Sequence, residues 1–450
     1  MKPIFTMIIL LNIFISNISA QDSQYWTLQY GTHSTLLGGA VIGSVSDLGA
    51  TYYNPGMLAL IEDPAFILGG AIYQYTQIKF KNALPGQRDL TSSSINSTPT
   101  LTAGSFRFPG LPKHTFGYSI LTRSQSRIEF SFRDAVVIGN TGAPGNETLN
   151  SDFSYLQEID DDWLGITWAY SPAKKIGIGI TPYLSVRSQD ANIRTTAFGI
   201  LPDDNVTNVD ILNEFEYDVW RFLTKIGFGY QSGAFSTGIT ITTPSLQVFG
   251  DGESAIRRLV SGSPNGNNFV NSDFQENVKA NYKSSWTVGS GIGYEIGNTR
   301  LHFAFEWFNA VKKFRILETE DFVGQTTGDS IGHNITLELN SLINFGLGAE
   351  TMLSKNVQLY GSFITDFSAA NSRSIRNTTV TNWDLFQFAA GTSFEIKKVE
   401  LNLGVTHEFG SREVPPPTSE DNAILGVSDP EDIKLSTNIT KFIFGFAFRF

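Results

Sequence analysis

The sequence has no cysteine among its 450 residues. This absence excludes a disulfide scaffold, thiolate metal sites, cysteine catalysis and lipidation at a cysteine. Charge is also scarce, since 17% of the residues are charged and the formal net charge is -11. A net negative chain without a cluster of lysine and arginine is a poor nucleic-acid binder, because phosphate contacts need concentrated positive charge. We therefore expect no nucleic-acid partner.

Long hydrophobic runs are missing as well. After the first twenty residues, no stretch approaches the ~18–20 consecutive apolar residues of a transmembrane helix. The chain nevertheless contains 35 Phe and 42 Gly at a mean hydropathy of -0.07. This composition indicates an apolar surface that must be covered, on a chain that is not apolar on average. Any membrane span has to be built from strands.

The N-terminus has the layout of a secretory signal peptide. Lys2 is followed by an apolar run at 4–15 and then by small residues that end at Ala20, which predicts cleavage after Ala20. An N-terminal membrane anchor is the alternative, but the run is short for a hydrocarbon core ~30 Å thick. We predict that residues 1–20 are a signal peptide and that the mature protein is exported.

Apolar and polar residues alternate along most of the remaining chain, for example over 176–187, 301–307 and 399–406. A period of two is typical of a strand with one apolar and one polar face. Soluble sandwiches alternate in the same way, so the connections must decide the fold. The pattern gives fourteen candidate strands, at about 66–81, 97–109, 114–133, 157–170, 176–189, 217–231, 234–250, 280–296, 299–315, 338–353, 356–369, 383–396, 398–410 and 439–450.

The linkers between these strands alternate in length. Short turns such as 109–113 and 231–234 are followed by long linkers rich in small and polar residues, such as 134–156. Tight turns at one end, long loops at the other and an even strand count are the layout of an outer-membrane barrel. We predict an all-β fold, a 14-stranded antiparallel transmembrane β-barrel over residues 66–450, in the outer membrane of a Gram-negative bacterium.

The C-terminal strand fits this prediction. Five phenylalanines share one parity and would face outer-membrane lipids, and Gly445 and Ala447 share the other. Small residues on the inner face allow close approach of a neighbouring strand or a plug. The five are Phe442, Phe444, Phe446, Phe448 and Phe450.

Residues 21–65 do not alternate, and they read as short helices. Asp47 could cap the first helix, and Asn54 could cap the second, with Pro55 at its first position. A segment of this size is too small to be a stable domain alone. It would bury itself most easily inside the barrel, so we predict an N-terminal plug.

The run from Asp47 to Leu60, with Asn54-Pro55-Gly56 at its centre, resembles the N-terminal Asn-Pro-Ala region of the FadL/TodX outer-membrane transporters. Gly56 replaces the Ala of that pattern. The final strand resembles the signal that bacterial outer-membrane proteins present to their insertion machinery. The family resemblance implies a plug inside a fourteen-stranded barrel. It also implies passive, ligand-gated uptake of hydrophobic compounds, either long-chain fatty acids or aromatic hydrocarbons.

Such transport needs an apolar pocket, a polar anchor for a head group, and an exit. Strand parity points Arg187, Arg221 and Lys225 into the lumen, and the last two lie four residues apart on one face, so they could meet an anionic head group. The alternative is that lumenal cations simply pair with carboxylates or hold the plug, as is normal in a polar barrel interior. The same parity also places three other cations in the lumen, namely Arg107, Arg123 and Arg127.

In the resembled family a kink in the third strand opens a lateral exit to the bilayer. The outward parity of the third strand is interrupted here by Thr122, Ser124 and Ser126, so these residues are the candidate exit. The alternative is that the strand has simply left the hydrocarbon band, where about 9–11 residues suffice. The long linkers at about 190–216 and 251–279 are the candidates for first capture of ligand.

Neither catalysis nor a cofactor is expected. None of the five histidines lies in a recognisable nucleophile motif, and no grouping of His, Asp and Glu has convincing metal spacing. The sequence thus favours a transporter, expected to be monomeric, with a hydrophobic small molecule as its ligand. Two alternatives stay open: a general porin, which would lack a plug and conduct strongly, and a surface adhesin, whose long loops would bind a partner.

Overall fold

The computed structural model describes residues 24–61, 65–68, 71–84, 88–99, 101–139, 147–200, 206–262, 268–370, 383–414 and 433–449. The described residues form a closed antiparallel barrel of fourteen strands, which confirms the predicted fold class. The predicted signal peptide and Phe450 lie outside the described residues.

We number the barrel strands β1 to β14, and four of them consist of two described segments. The strands are β1 (Ala65–Leu68 and Ala71–Leu84), β2 (Arg88–Pro99 and Leu101–Phe106), β3 (His114–Gly139), β4 (Glu147–Ala173), β5 (Ile176–Ile200), β6 (Val206–Ser232), β7 (Phe235–Thr242 and Leu246–Ser261), β8 (Phe269–Lys279 and Thr287–Ile296), β9 (Thr299–Phe308), β10 (Leu342–Ser354), β11 (Val357–Asp366), β12 (Leu385–Ile396), β13 (Val399–Val414) and β14 (Ile433–Arg449).

The barrel closes between its first and last strands. Phe66 of β1 lies opposite Phe448 of β14, and Tyr73 lies opposite Phe442. Short turns join the strand pairs at one end of the barrel, which we call the turn end. The other end is the loop end. In outer-membrane barrels the short turns face the periplasm and the long loops face outward.

Large apolar side chains cover the outer surface of the barrel. On β14 the four described phenylalanines of the C-terminal pattern, Phe442, Phe444, Phe446 and Phe448, are 39–51% exposed, as the alternation predicted. A water-facing surface rarely carries a continuous apolar belt of this kind. The belt fits the hydrocarbon region of a bilayer.

No helix in the described part of the chain is long and apolar enough to cross a membrane.

Residues 24–61 lie against the inner wall of the barrel, and we call them the plug. They contain the helices α1 (His33–Leu36) and α2 (Ala50–Tyr53) and a 3₁₀ turn at Met57–Leu60. Such short helices are not stable alone. They are stabilised here by burial, because most of the plug's apolar side chains pack into one core with the barrel wall.

Glycines allow the plug to touch the wall backbone to backbone. A Cβ atom added at Gly177 of β5 would collide with the carbonyl oxygen of Gly56 in the plug. One added at Gly43 in the plug would collide with the backbone of Gly291 in β8. At these points the wall presents backbone instead of a side chain to the plug. This explains why so many glycines lie on the inward parity of the strands.

Several predicted loops are strands instead. The segments 134–156, 190–216 and 251–279 were expected to be loops, but most of each continues the barrel wall beyond the belt, for example as Ile176–Ile200 and Val206–Ser232. Polar residues on the outer face hid these extensions from the sequence pattern. Their inner face is apolar and buried, as at Ile193 and Phe215, and the extensions are paired residue by residue.

A β-bulge corrects the predicted faces of β3. The β3–β4 register passes from Thr122 to Ser124, so no residue of β4 lies opposite Arg123 in the ladder. One extra residue reverses which side chains face inward. As a result Arg127, expected in the lumen, lies outside and pairs with Glu129 and Glu158 at 3.3 and 3.2 Å. The predicted outward residues Ile128 and Phe130 are instead buried.

A small hairpin covers the lumen at the loop end. It pairs Val311–Leu317 with Ile335–Leu339 and packs against the inner faces of the strand extensions. We call it the cap hairpin. The lumen is thus closed by the plug toward the turn end and covered by the cap hairpin toward the loop end.

Candidate functional site

A cavity lies between the start of the plug, the cap hairpin and the strands around β3 to β9. Its volume is ≈ 70 Å³, counted as space open to the centres of water-sized molecules. Tyr25 and Tyr52 of the plug form part of its lining, and Leu339 of the cap hairpin forms another part. Ligand sites of barrels and bundles typically occupy such enclosed positions.

All three predicted anchoring cations line this cavity. Arg187, Arg221 and Lys225 are 1%, 1% and 3% exposed. Each has a carboxylate nearby: Arg221 Nη2 lies 2.6 Å from Asp161 Oδ2, Arg187 Nη1 lies 3.8 Å from the same oxygen, and Lys225 Nζ lies 3.8 Å from Glu306 Oε1. The alternative prediction, that lumenal cations pair with carboxylates, therefore accounts for part of the surroundings of these three residues.

Aromatic rings complete the environment of the three cations. The guanidinium carbons of Arg187 and Arg221 lie 4.2 and 4.6 Å from the centre of the Tyr282 ring, and Lys225 Nζ lies 4.4 Å from that of Tyr52. Cation–π contacts of this kind hold a positive charge in place without neutralising it. The rings therefore help to fix the cations in position.

The cavity carries more positive than negative charge. Its lining includes four cationic side chains, with Arg123 as the fourth, against the two carboxylates of Asp161 and Glu306. Among the described residues, Arg221 Nε is buried without a hydrogen-bond partner. The 3.8 Å separation of Lys225 from Glu306 is too long for a hydrogen bond. Among the described residues, neither Arg221 Nε nor the Lys225–Glu306 pair therefore makes a hydrogen bond.

Apolar and aromatic side chains form the rest of the lining, including Trp163, Leu223 and Phe308. An apolar wall beside a small set of cations suits a ligand with a hydrocarbon body and an anionic end. Sequence reasoning missed Tyr282, Asp161 and Glu306. Asp161 and Glu306 could have been noticed as carboxylates on a lumenal parity, but nothing in the sequence signals which cation each one meets.

The four plug-motif residues lie outside the cavity, where they dock the plug. Asn54 Nδ2 donates to the carbonyl oxygens of Ile42, at 2.8 Å, and of Phe228 in the wall, at 2.9 Å, and Asn54 Oδ1 accepts from the Gly56 N–H at 3.0 Å. Pro55 lies against Gly179. The motif therefore fixes the plug to β5 and β6.

Asp47 organises the plug internally. Its carboxylate accepts hydrogen bonds from the Ser34 N–H at 3.0 Å, from Ser34 Oγ at 2.8 Å and from the Gly49 N–H at 2.9 Å. Asp47 therefore joins α1 to the residue before α2. The predicted capping by Asp47 is wrong, because the N-cap of α2 is Gly49 and makes no side-chain cap hydrogen bond. Asn54 is likewise the C-cap of α2, and the N-cap of the following 3₁₀ turn is Gly56.

The candidate exit residues surround the β3 bulge. Thr122 Oγ1 donates to Asp162 Oδ1 at 2.7 Å, Ser124 lines the cavity, and Ser126 is 7% exposed. Arg123, at the bulge itself, turns inward, where its Nη2 donates to the Tyr25 carbonyl oxygen at 2.7 Å. Within the described residues, the β2–β3 ladder covers only Leu101–Phe106, so the wall beyond it is less tightly paired.

A serine, a histidine and a carboxylate form a row where the plug meets the wall. Ser44 Oγ lies 2.7 Å from His302 Nδ1, and His302 Nε2 lies 3.5 Å from Glu350 Oε1. All three residues are less than 10% exposed, and none is part of the cavity lining. This arrangement joins the plug to β9 and β10 and gives a substrate no approach to the serine.

No family model and no curated protein matches the chain. Its fold is similar to that of solved outer-membrane channels. A FadL homologue from Pseudomonas aeruginosa is 10% identical with a TM-score of 0.61, over 94% of this chain and 99% of that one. The toluene transporter TodX of Pseudomonas putida is 12% identical with a TM-score of 0.60, over 95% and 100%. The toluene transporter TbuX of Ralstonia pickettii is 12% identical with a TM-score of 0.52, over 94% and 98%.

At these identities the likeness establishes the fold, which is the FadL/TodX-type plugged barrel that the sequence resemblance implied.

Proposed function

We propose that this protein is an outer-membrane channel for hydrophobic compounds, and that its cargo is an apolar molecule with an anionic end, such as a long-chain fatty acid. The observation that carries the proposal is the cavity with four cationic and two anionic side chains beside an apolar wall. Structures of the same fold include proteins named as hydrocarbon channels and toluene transporters, which supports the transport of apolar compounds.

Arg221 and Lys225 are the proposed anchors for the anionic end, and Arg187 supports them through the shared ring of Tyr282. Arg221 Nε has no other partner among the described residues, and charge-assisted hydrogen bonds are the strongest that a neutral-pH ligand can make. A neutral hydrocarbon would leave both donors unused. A bound carboxylate would bring the charge of the cavity closer to balance.

Passage is proposed to be passive, with ligand binding displacing the start of the plug. Tyr25 and Tyr52 are plug residues that line the cavity, and Tyr52 also belongs to the plug core, so a ligand in the cavity contacts the segment that closes the lumen. The residues at 122–126 are the proposed lateral exit. The bulge at Arg123 and the short β2–β3 ladder support this assignment.

A general porin is disfavoured, because the plug fills the lumen toward the turn end. No contact among the described residues favours an adhesin. In line with the fold neighbours, which are channels rather than enzymes, we propose a role without catalysis.

The test is a binding measurement on purified protein in mild detergent, with a long-chain fatty acid and with toluene. Lys225→Met removes an anchor but leaves Glu306 with hydrogen bonds from Trp26 and Thr287 at 3.0 and 2.7 Å, so the variant should fold. Affinity for the fatty acid should fall about 10–100-fold, equivalent to the ~1.5–3 kcal/mol of a charged hydrogen bond, while toluene binding stays unchanged.

Arg194→Met is the matched control, because Arg194 pairs with Asp210 on the exposed strand extension. If the wild-type protein bound neither compound, the proposed function would be wrong. If Lys225→Met weakened both ligands equally, a neutral cargo would replace the anionic one.

A further inference from the structure

β8 leaves the barrel wall between its two described segments, over residues 281–286. Its ladder with β7 runs up to the Thr242–Thr287 pair and resumes only at the Asp251–Lys279 pair. β7 itself stays in the wall there, since the Thr243 N–H donates to the Thr224 carbonyl oxygen of β6 at 2.9 Å. The departure is therefore mainly a detour of β8, beside a short break of β7 at 243–245, and we call residues 281–286 the β8 detour.

The detour is directed into the lumen, toward the cavity. Tyr282 is 6% exposed and carries the guanidinium groups of Arg187 and Arg221 on its ring. Ser285 Oγ lies 2.9 Å from the hydroxyl oxygen of Tyr25 in the plug. Ser284 and Ser285 both line the cavity. One part of the cavity wall is thus an irregular segment where the barrel would otherwise present a paired strand.

Two side-chain hydrogen bonds connect the detour to β7. The Ser245 N–H donates to Ser284 Oγ at 2.9 Å, and the Ser284 N–H donates to Ser245 Oγ at 3.2 Å. In a regular wall, backbone ladders hold neighbouring strands together and every backbone group is paired within the sheet. These serine contacts can be exchanged for water or a ligand head group without unpairing a ladder. We call these two hydrogen bonds between Ser245 and Ser284 the clasp.

The clasp lies at the level of an aromatic girdle. The rings of Trp286 and Trp307 meet at 4.8 Å, and those of Trp220 and Phe249 meet at 5.1 Å. Such girdles mark the membrane interface of outer-membrane barrels. Because the detour is on the loop-end side of the paired β7–β9 wall, this interface is that of the outer leaflet.

The outer surface beside the clasp is apolar, while its inner surface is polar. Leu246 and Val248 of β7 are 70% and 63% exposed toward the lipid side. On the cavity side, Thr242 and Thr287 lie with Ser284 and Ser285 in the lining. A molecule with a hydrocarbon tail and a polar head matches both surfaces at once, since its tail can stay in the lipid while its head reaches the cavity.

We propose that the β8 detour is a lateral port through which an amphiphile with an anionic head exchanges between the cavity and the outer leaflet. The port is separate from the candidate exit at Thr122–Ser126 on β3. It rests on the proposed function in one respect, since it requires that the cavity binds such an amphiphile.

The test uses the absence of native cysteine. Ser245→Cys with Ser284→Cys places a disulfide across the clasp, and Ile239→Cys with Ser290→Cys places one across the regular ladder of the same two strands. Each protein is reconstituted in phosphatidylcholine vesicles and loaded with a fluorescent long-chain fatty acid. Passage of the probe into the bilayer is followed by the loss of energy transfer from the protein's tryptophans.

Oxidation of the clasp pair should slow passage at least 10-fold, and a reductant should restore it, whereas the ladder pair should show no redox effect. Release of the probe to albumin from protein in detergent should stay unchanged. Equal passage in the oxidised and reduced clasp protein would overturn the port. Equal slowing of both release routes would also overturn it, because the disulfide would then block the cavity itself.

A second pair of substitutions keeps the test decisive if the disulfide forms poorly. Ser245→Ala with Ser284→Ala removes the clasp and should speed passage into the bilayer about threefold or more, and an unchanged rate would contradict the port. A wild-type protein that binds no fatty acid in detergent would instead count against the proposed function, which separates the two failures.

Discussion

The two halves of the lumen are held together in different ways. Toward the turn end, the plug meets the wall through glycines and an apolar core, with backbone against backbone at Gly56 and Gly177. Toward the loop end, the wall is irregular, and buried cations, carboxylates and aromatic rings surround a cavity. Close backbone contact leaves no room for a ligand, whereas the irregular half has both room and charge. On the proposed function, this difference gives closure to the first half and ligand recognition to the second.

The largest expected effect comes from breaking the glycine contact. Gly177→Val would drive a side chain into the backbone of Gly56 and into Leu60. Overpacking of a filled core costs about 1–3 kcal/mol, and here the plug can relieve the strain by leaving its site. We expect large, stable conductance in planar bilayers and a lower unfolding midpoint.

Gly110→Val is the control for this substitution, because a Cβ atom at Gly110 meets nothing within 4 Å. If Gly177→Val had the same low conductance and the same unfolding midpoint as the wild type, closure would not depend on close backbone contact.

The next effect tests the polar connection between the same two surfaces. Asn54→Ala removes the donor to the Ile42 and Phe228 carbonyl oxygens. Two buried acceptors then lose their partner, at about 1–2 kcal/mol each. We expect the free energy of unfolding in detergent to fall by about 2–4 kcal/mol.

Asn192→Ala is the matched control, since Asn192 donates to Glu214 on the half-exposed strand extension. A loss no greater than that of Asn192→Ala would mean that the glycine contacts dock the plug without Asn54.

A third prediction concerns the one plug histidine with a strongly shifted pKa. Burial alone would lower the pKa of His33, but the Glu400 carboxylate, 2.6 Å away and assisted by Asp47 and Glu350, raises it to about 9. A raised histidine pKa stabilises the folded state fully below the ordinary value of 6.5, and the effect is lost as the pH rises through about 9.

We therefore expect the wild-type protein to lose about 3 kcal/mol of stability between pH 6.5 and pH 9.5, because the pKa rises from 6.5 to about 9 and each pH unit corresponds to ~1.4 kcal/mol. His33→Gln should flatten this part of the pH profile, as measured by urea unfolding. His114→Gln, outside the plug, should leave the slope intact. If the stability of His33→Gln still fell between pH 6.5 and pH 9.5, the pH dependence would belong to another group.

The turn-end half could be predicted from the sequence, because it follows from local patterns. Alternation gave fourteen strands and the outward phenylalanines of β14, and the run from Asp47 to Gly56 indicated the plug helices. Parity also placed Arg187, Arg221 and Lys225 in the lumen, and this is the one feature of the loop-end half that the strand period predicted. Each of these predictions depends only on the period of a strand or on a residue's preference for a helix start.

The loop-end half could not be predicted, because it depends on exceptions to the period. A single unpaired residue at Arg123 turned Ile128 and Phe130 inward, and nothing in the alternation marks that position. The β8 detour reads as a continuous strand in the sequence. The partner of Arg221 on β6 is Asp161 on β4, two strands away and sixty residues earlier in the chain, and only the register of the sheet brings the two together.

The smallest expected effect lies on the outer face of the loop-end half, where carboxylates face one another across strands. Glu216 of β6 lies opposite both Asp190 of β5 and Glu253 of β7, in the exposed extension beyond the aromatic girdle. Like charges directly opposite each other in a sheet destabilise it by about 0.2–1 kcal/mol. Glu216→Gln should therefore raise the free energy of unfolding by about that amount at low salt, and the gain should shrink as salt screens the repulsion. Glu320→Gln is the control, because Glu320 is exposed and lies outside the strands of the barrel. Equal gains from the two substitutions would mean that net charge, and not the row of facing carboxylates, limits the stability of the loop-end half.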